Sequence, residues 1–179
     1  SSFAIGLNAK WGSGKTSFFN FMKAELKSSE SIVFDFKPWF SKDENAIIND
    51  FFQELAKHIP NLLLKSKLNS YAFKLLGQNS SWRNLGEFIK YFLFPSQNLG
   101  NLISQIREGL IANGKRVVIF IDDVDRLEGK EIFEVLKLVR NTANFPNLFF
   151  VVAYDKSYVA SVLGNIKIET PDQYLQKIF

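Results

Sequence analysis

Phe3-Ala4-Ile5-Gly6-Leu7-Asn8-Ala9-Lys10-Trp11-Gly12-Ser13-Gly14-Lys15-Thr16 runs from a short apolar segment through a glycine-bearing turn into a helical pattern. Residues 9–16 have the spacing of a phosphate-binding loop: one small residue, four more, then Gly-Lys-Thr, with Ala9 where the first glycine usually stands. Gly12 and Gly14 permit positive φ, so that successive N–H groups turn inward as an anion nest, and the helix beginning near Lys15 adds its positive dipole end. Lys15 then reaches the β- and γ-phosphates as a compact cation. The Thr16 hydroxyl completes the oxygen shell of a Mg²⁺ that holds the same phosphates. The alternative is a plain glycine turn, against which the strand before and the helix after both argue.

Outward from that loop, strand and helix patterns alternate. Phe3 to Leu7 reads as a strand, and Thr16 to Lys27 as a helix through Phe18, Phe19, Met22 and Leu26. Ile32 to Phe36 reads as a strand ended by Pro38. Ser41 and Glu44 stand three apart as a capping box, which predicts a helix starting near Ser41 and stopped by Pro60. Residues 61–113 read as two or three helices, the last over Leu99 to Ala112. Val117 to Ile121 and Leu148 to Ala153 are continuous apolar runs, as strands buried on both faces of a parallel sheet require. Gly129 or Lys130 to Asn141 is amphipathic at helical spacing, and a further helix starts near Ser157. The expected fold is therefore a three-layer α/β domain with a mostly parallel sheet.

Val117-Val118-Ile119-Phe120-Ile121-Asp122-Asp123-Val124-Asp125-Arg126 sets carboxylates at the C-terminal end of a buried strand, where open α/β sheets place their ligand crevice. Asp122 is the expected metal-side acid. Asp123 is expected to align an attacking water or take its proton. A solvated turn with a local Asp125–Arg126 pair is the competing reading, and the loop upstream weighs against it; the roles of Asp125 and Arg126 stay open. Asp155, just past the strand ending at Ala153, is either a sensor of the γ-phosphate or a helix cap.

Five segments in order resemble the KAP family of P-loop NTPases, within the wider AAA+ and STAND-like ATPases. They are Ile5-Gly6-Leu7 with Trp11 to Ser17, Phe36-Lys37-Pro38-Trp39, Ile119 to Leu127, Val151 to Asp155, and Tyr174 to Phe179. The resemblance implies an ASCE-type domain over residues 1–179 that binds ATP and Mg²⁺. It places Lys15 and Thr16 at the phosphates, Asp122 at the metal, and the whole loop Ala9, Lys10, Trp11, Gly12, Ser13, Gly14, Lys15, Thr16 and Ser17 around the nucleotide. Lys15 and Asp123 carry the expected catalytic roles, with Asp155 and Arg126 as candidate sensors. It also implies a segment inserted between the two nucleotide motifs, here the helical stretch 61–113. In many members that insertion carries transmembrane helices, but this one has no membrane-length apolar run. The ending resembles a stretch before a further strand and a C-terminal helical region, so the chain is expected to be a fragment stopping short of both.

The composition closes off other classes. With 179 residues, 46 % hydrophobic and 22 % charged, the chain suits one compact domain. It has no cysteine and a single histidine, His58, so thiolate metal centres and multi-histidine sites are excluded and any metal must be held by oxygen. There is no signal-peptide pattern, and a cytoplasmic setting is expected, with membrane association only through parts outside this segment. The formal net charge is +4, but residues 56–116 hold nine basic against two acidic residues, a local +7. That basic, aromatic stretch reads chiefly as helices with an apolar inner face and a wet outer one; a nucleic-acid or anionic-membrane surface is the less favoured reading.

The function expected is an ATPase module of a conformational switch, in phage defence or signalling by analogy with the family. A nucleotide-gated scaffold with little turnover and a DNA-engaging AAA+ relative are the alternatives. Expected partners are ATP and ADP, the missing C-terminal helical region or an effector domain, and a second copy of the chain.

Overall fold

The computed structural model describes residues 2–10, 12–27, 29–76, 99–168 and 170–179. Trp11, and the aromatic and basic stretch from residue 77 to 98 with Trp82 and Arg83, lie outside them. Four parallel strands, β1 (Phe3–Asn8), β2 (Ile32–Phe36), β3 (Val117–Ile121) and β4 (Leu148–Tyr154), form one sheet in the order β1-β4-β3-β2. The register pairs Ile5 with Val151, Val151 with Phe120, and Phe120 with Asp35, so the C-terminal ends of all four strands lie on one side. Every residue of β3 and β4 is buried, the outcome foreseen for their unbroken apolar runs.

Helix α1 (Lys15–Leu26) covers one face, with Phe19 packed edge-on to Phe120 at 4.9 Å and Met22 and Leu26 beside Val118 and Val151. The other face carries α2 (Ala46–His58), α5 (Gly129–Thr142), α6 (Lys156–Asn165) and the short α7 (Pro171–Gln176). Helices α3 (Leu62–Leu76) and α4 (Leu99–Asn113) pack on each other, and α3 packs on α2. Phe51, fully buried, joins the layers through Phe36, Phe52 and Phe150. His58 ends α2 with its ring stacked 4.5 Å from Phe34 and its Nε2 3.4 Å from the Glu54 carboxylate.

One helix start differs from the expectation. The chain turns through a 3₁₀ segment at Pro38–Phe40, and α2 begins only at Ala46. Asp43 Oδ1 accepts from the N–H groups of Asn45 and Ala46 at 2.9 and 3.0 Å, so a third oxygen-bearing side chain captures the free donors that Ser41 was expected to serve. The capping box instead forms at α5, between Glu128 and Glu131.

At the other end of the chain, Phe179 stacks on Tyr154 at 5.2 Å. Both rings lie over Gly6, where an added Cβ would sit 2.8 Å from the Tyr154 ring and 2.9 Å from that of Phe179. Gly6 is thus needed for space. Among the described residues no helix is long and apolar enough to cross a membrane.

Candidate functional site

The loop between β1 and α1 is shaped by two left-handed glycines, Gly12 at φ 77° and Gly14 at φ 88°. Among the described residues nothing lies within 4 Å of the Cβ that either would carry, so conformation rather than space demands glycine there. Ser13 closes the turn by donating its N–H and its hydroxyl to the Lys10 carbonyl, at 3.2 and 2.6 Å. Ala9 extends the ladder, its N–H reaching the Tyr154 carbonyl at 3.1 Å. It does not adopt positive φ, so its methyl group is accommodated without strain. Gly14 caps α1 with no side-chain acceptor, and no acidic residue sits in the first turn. Among the described residues no side chain is bonded to the first N–H groups of this helix, so its positive dipole end faces the loop.

Against that helix end lies the end of β3. The Thr16 hydroxyl donates to Asp122 Oδ2 at 2.7 Å, while Asp122 Oδ1 accepts from the Asp123 N–H at 2.9 Å. Lys15, almost fully buried, donates from Nζ to the Ala9 carbonyl and to Asp125 Oδ2, both at 3.0 Å. Asp123 is held in the left-handed region, φ 57° and ψ 34°, at the head of a 3₁₀ turn over Val124–Arg126. Such a conformation costs a non-glycine residue of order 1 kcal/mol or more and gathers at functional sites. Its carboxylate pairs with Arg126 at 3.1 Å, and the Arg126 guanidinium lies 5.7 Å over the Trp39 ring. Burial and the neighbouring Asp122 push the Asp123 carboxyl above the usual aspartate range, with Arg126 pulling the other way.

A glycine-bearing anion nest at a helix start, a lysine reaching back over it and an acid paired to the following threonine are the geometry of a P-loop site. The model of the KAP family P-loop domain matches residues 1–179. The chain belongs to the KAP family of P-loop NTPases. Among curated relatives it resembles the phage T7 exclusion protein of Escherichia coli (strain K12), 27 % identical over 97 % of this chain and 29 % of that protein. The chain thus spans under a third of that relative's length. Among solved structures it is similar to the Aeropyrum pernix ORC2 protein in its ADPNP–ADP complexes, 11 % identical, with a TM-score of 0.43 over 99 % of this chain and 40 % of that one.

In this KAP domain the oxygens of Thr16 and Asp122 form a hard donor pair that fits Mg²⁺. That ion binds through one or two protein ligands and otherwise keeps water and phosphate oxygens. Among the described residues there is no group of three or more acidic, histidine or cysteine side chains placed to hold a metal ion.

Asp155 lies at the end of β4 as the cap of α6, its Oδ1 accepting from the Ser157 and Tyr158 N–H groups at 2.9 and 3.2 Å. Lys10 and Ser17 are exposed beside the loop. Three contacts escaped sequence reasoning. Asp125 pairs with Lys15, Trp39 lies under Arg126, and Asn8 Oδ1 accepts from the Lys156 N–H at 3.1 Å, tying the loop's start to α6. A hint of the first was the third acid in Asp-Asp-Val-Asp-Arg, one more than a metal ligand and a base require.

Proposed function

We propose that this KAP domain binds ATP with Mg²⁺ and hydrolyses it as the motor of a conformational switch. The observation that carries the reading is the convergence of Lys15, Thr16 and Asp122 at the N-terminus of α1. The Gly12–Thr16 backbone would bind the polyphosphate, and Lys15 would supply charge at its terminal groups. Thr16 and Asp122 would hold Mg²⁺, which when bound neutralises charge on the phosphate oxygens. Asp123, one residue on and re-aimed by its left-handed backbone, would align a water and accept its proton, a role favoured by a carboxyl whose pKa lies above normal.

The same arrangement supports a second reading, a nucleotide-gated scaffold with little turnover, because the Asp123 carboxylate is engaged by Arg126. The two separate on Asp123→Asn in the full-length protein. Loss of phosphate release with nucleotide binding retained supports the enzyme, whereas wild-type protein that binds ATP and releases no phosphate supports the scaffold. The likeness to a phage exclusion protein supports a role in phage defence.

A further inference from the structure

Of the ion pairs among the described residues, Lys15–Asp125 is the most enclosed, with side chains 6 % and 5 % exposed. An ammonium has three N–H donors, and Lys15 spends two of them inside the protein, on Asp125 and on the Ala9 carbonyl. Asp125 is poorly served in return: its Oδ1 is buried and no donor among the described residues reaches it. Lys15 is therefore its principal stabilising contact, and a carboxylate left half-satisfied in a closed site is a costly arrangement.

We propose that Asp125 is a displaceable internal counter-ion of Lys15 that lowers the affinity of the loop for nucleotide. With the loop empty it neutralises the ammonium; when phosphate oxygens are offered, Lys15 exchanges Asp125 for them. The inference rests on the nucleotide-binding reading. Two physical arguments set its sign. A carboxylate beside Lys15 repels an arriving polyphosphate across a space with little water, where charges are weakly screened. The pair also stabilises the empty form, and any interaction made only in the empty form subtracts from binding. A purely positioning Asp125, holding Lys15 in place for phosphate, predicts the opposite sign.

The test is calorimetric titration of the full-length protein and its Asp125→Asn variant with a non-hydrolysable ATP analogue and Mg²⁺. Asp125→Asn is expected to bind at least about fivefold more tightly, the effect of removing one nearby negative charge. Equal or weaker binding by the variant, beside measurable binding by the wild type, overturns the counter-ion and leaves the nucleotide reading intact. Binding by neither overturns both. Thermal unfolding without nucleotide supplies a second test, because Asp125→Asn leaves Lys15 buried and uncompensated. Adding Lys15→Met should then restore much of the lost stability, and should restore folding if the single variant fails to fold. Failure of that restoration also overturns the proposal.

Discussion

The Thr16 hydroxyl and the Asp122 carboxylate, 106 residues apart in sequence, meet at 2.7 Å. That one hydrogen bond joins the first turn of α1 to the end of β3 and brings together the two side chains proposed to hold Mg²⁺. Thr16→Ala is therefore expected to weaken ATP binding about tenfold or more in the presence of Mg²⁺, and far less in EDTA. Paired titrations with and without the metal measure the difference. An equal loss in both would place Thr16 outside the metal shell.

Asp123 offers a stability test independent of turnover. Its carboxyl pKa is raised by burial and by Asp122, so the folded protein holds that proton more firmly than the unfolded chain does. The folded state then binds more protons across the window between the ordinary aspartate pKa and the raised one, stability falls as pH rises through it, and the deficit persists above. Asp123→Asn without nucleotide should accordingly melt slightly higher than wild type near neutral pH. That gain should vanish when both are compared below the ordinary carboxylate range. Thermal scans at the two pH values decide it.

Gly14 and Gly6 should fail for different reasons. Gly14→Ala meets no atom of the described residues, but its φ of 88° strains any residue with a Cβ by about 1–2 kcal/mol, and the strain falls on the anion nest. Affinity for ATP should drop with a modest fall in melting temperature. Gly6→Ala places a methyl group against Tyr154 and Phe179, an overpacking worth about 1–3 kcal/mol, with the loop conformation untouched. Its melting temperature should fall while affinity at saturating folded protein holds.

Phe51→Ala removes a fully buried ring that touches Phe36, Phe52 and Phe150, and so loosens α2 from both β2 and β4. A loss of about 3–5 kcal/mol is expected, a large part of a single domain's stability, measured by denaturant unfolding.

Much of this architecture was legible because each signal was local. The alternation of Ile32 to Phe36 and the unbroken apolar run of Val117 to Ile121 match β2 and β3 residue for residue, since burial on a sheet face dictates both patterns. The loop was legible for the same reason, glycine spacing and a following lysine being determined by backbone geometry. The start of α2 was not, because Ser41, Asp43 and Glu44 all have oxygens able to cap, and only the turn made by Pro38–Phe40 selects Asp43. Nor could the pairing of Lys15 with Asp125 be read from sequence. It depends on how the 3₁₀ turn after Asp123 folds back on a loop 110 residues earlier, which no local pattern encodes.

The central claim, that the loop is a nucleotide site built on Lys15, is tested most directly by equilibrium binding of ATP with Mg²⁺ to the full-length protein beside its Lys15→Ala variant. The account predicts saturable binding by the wild type and a loss of about a hundredfold or more in the variant, with both folded by circular dichroism. Absence of binding by the folded wild type, or equal binding by the two, would contradict it.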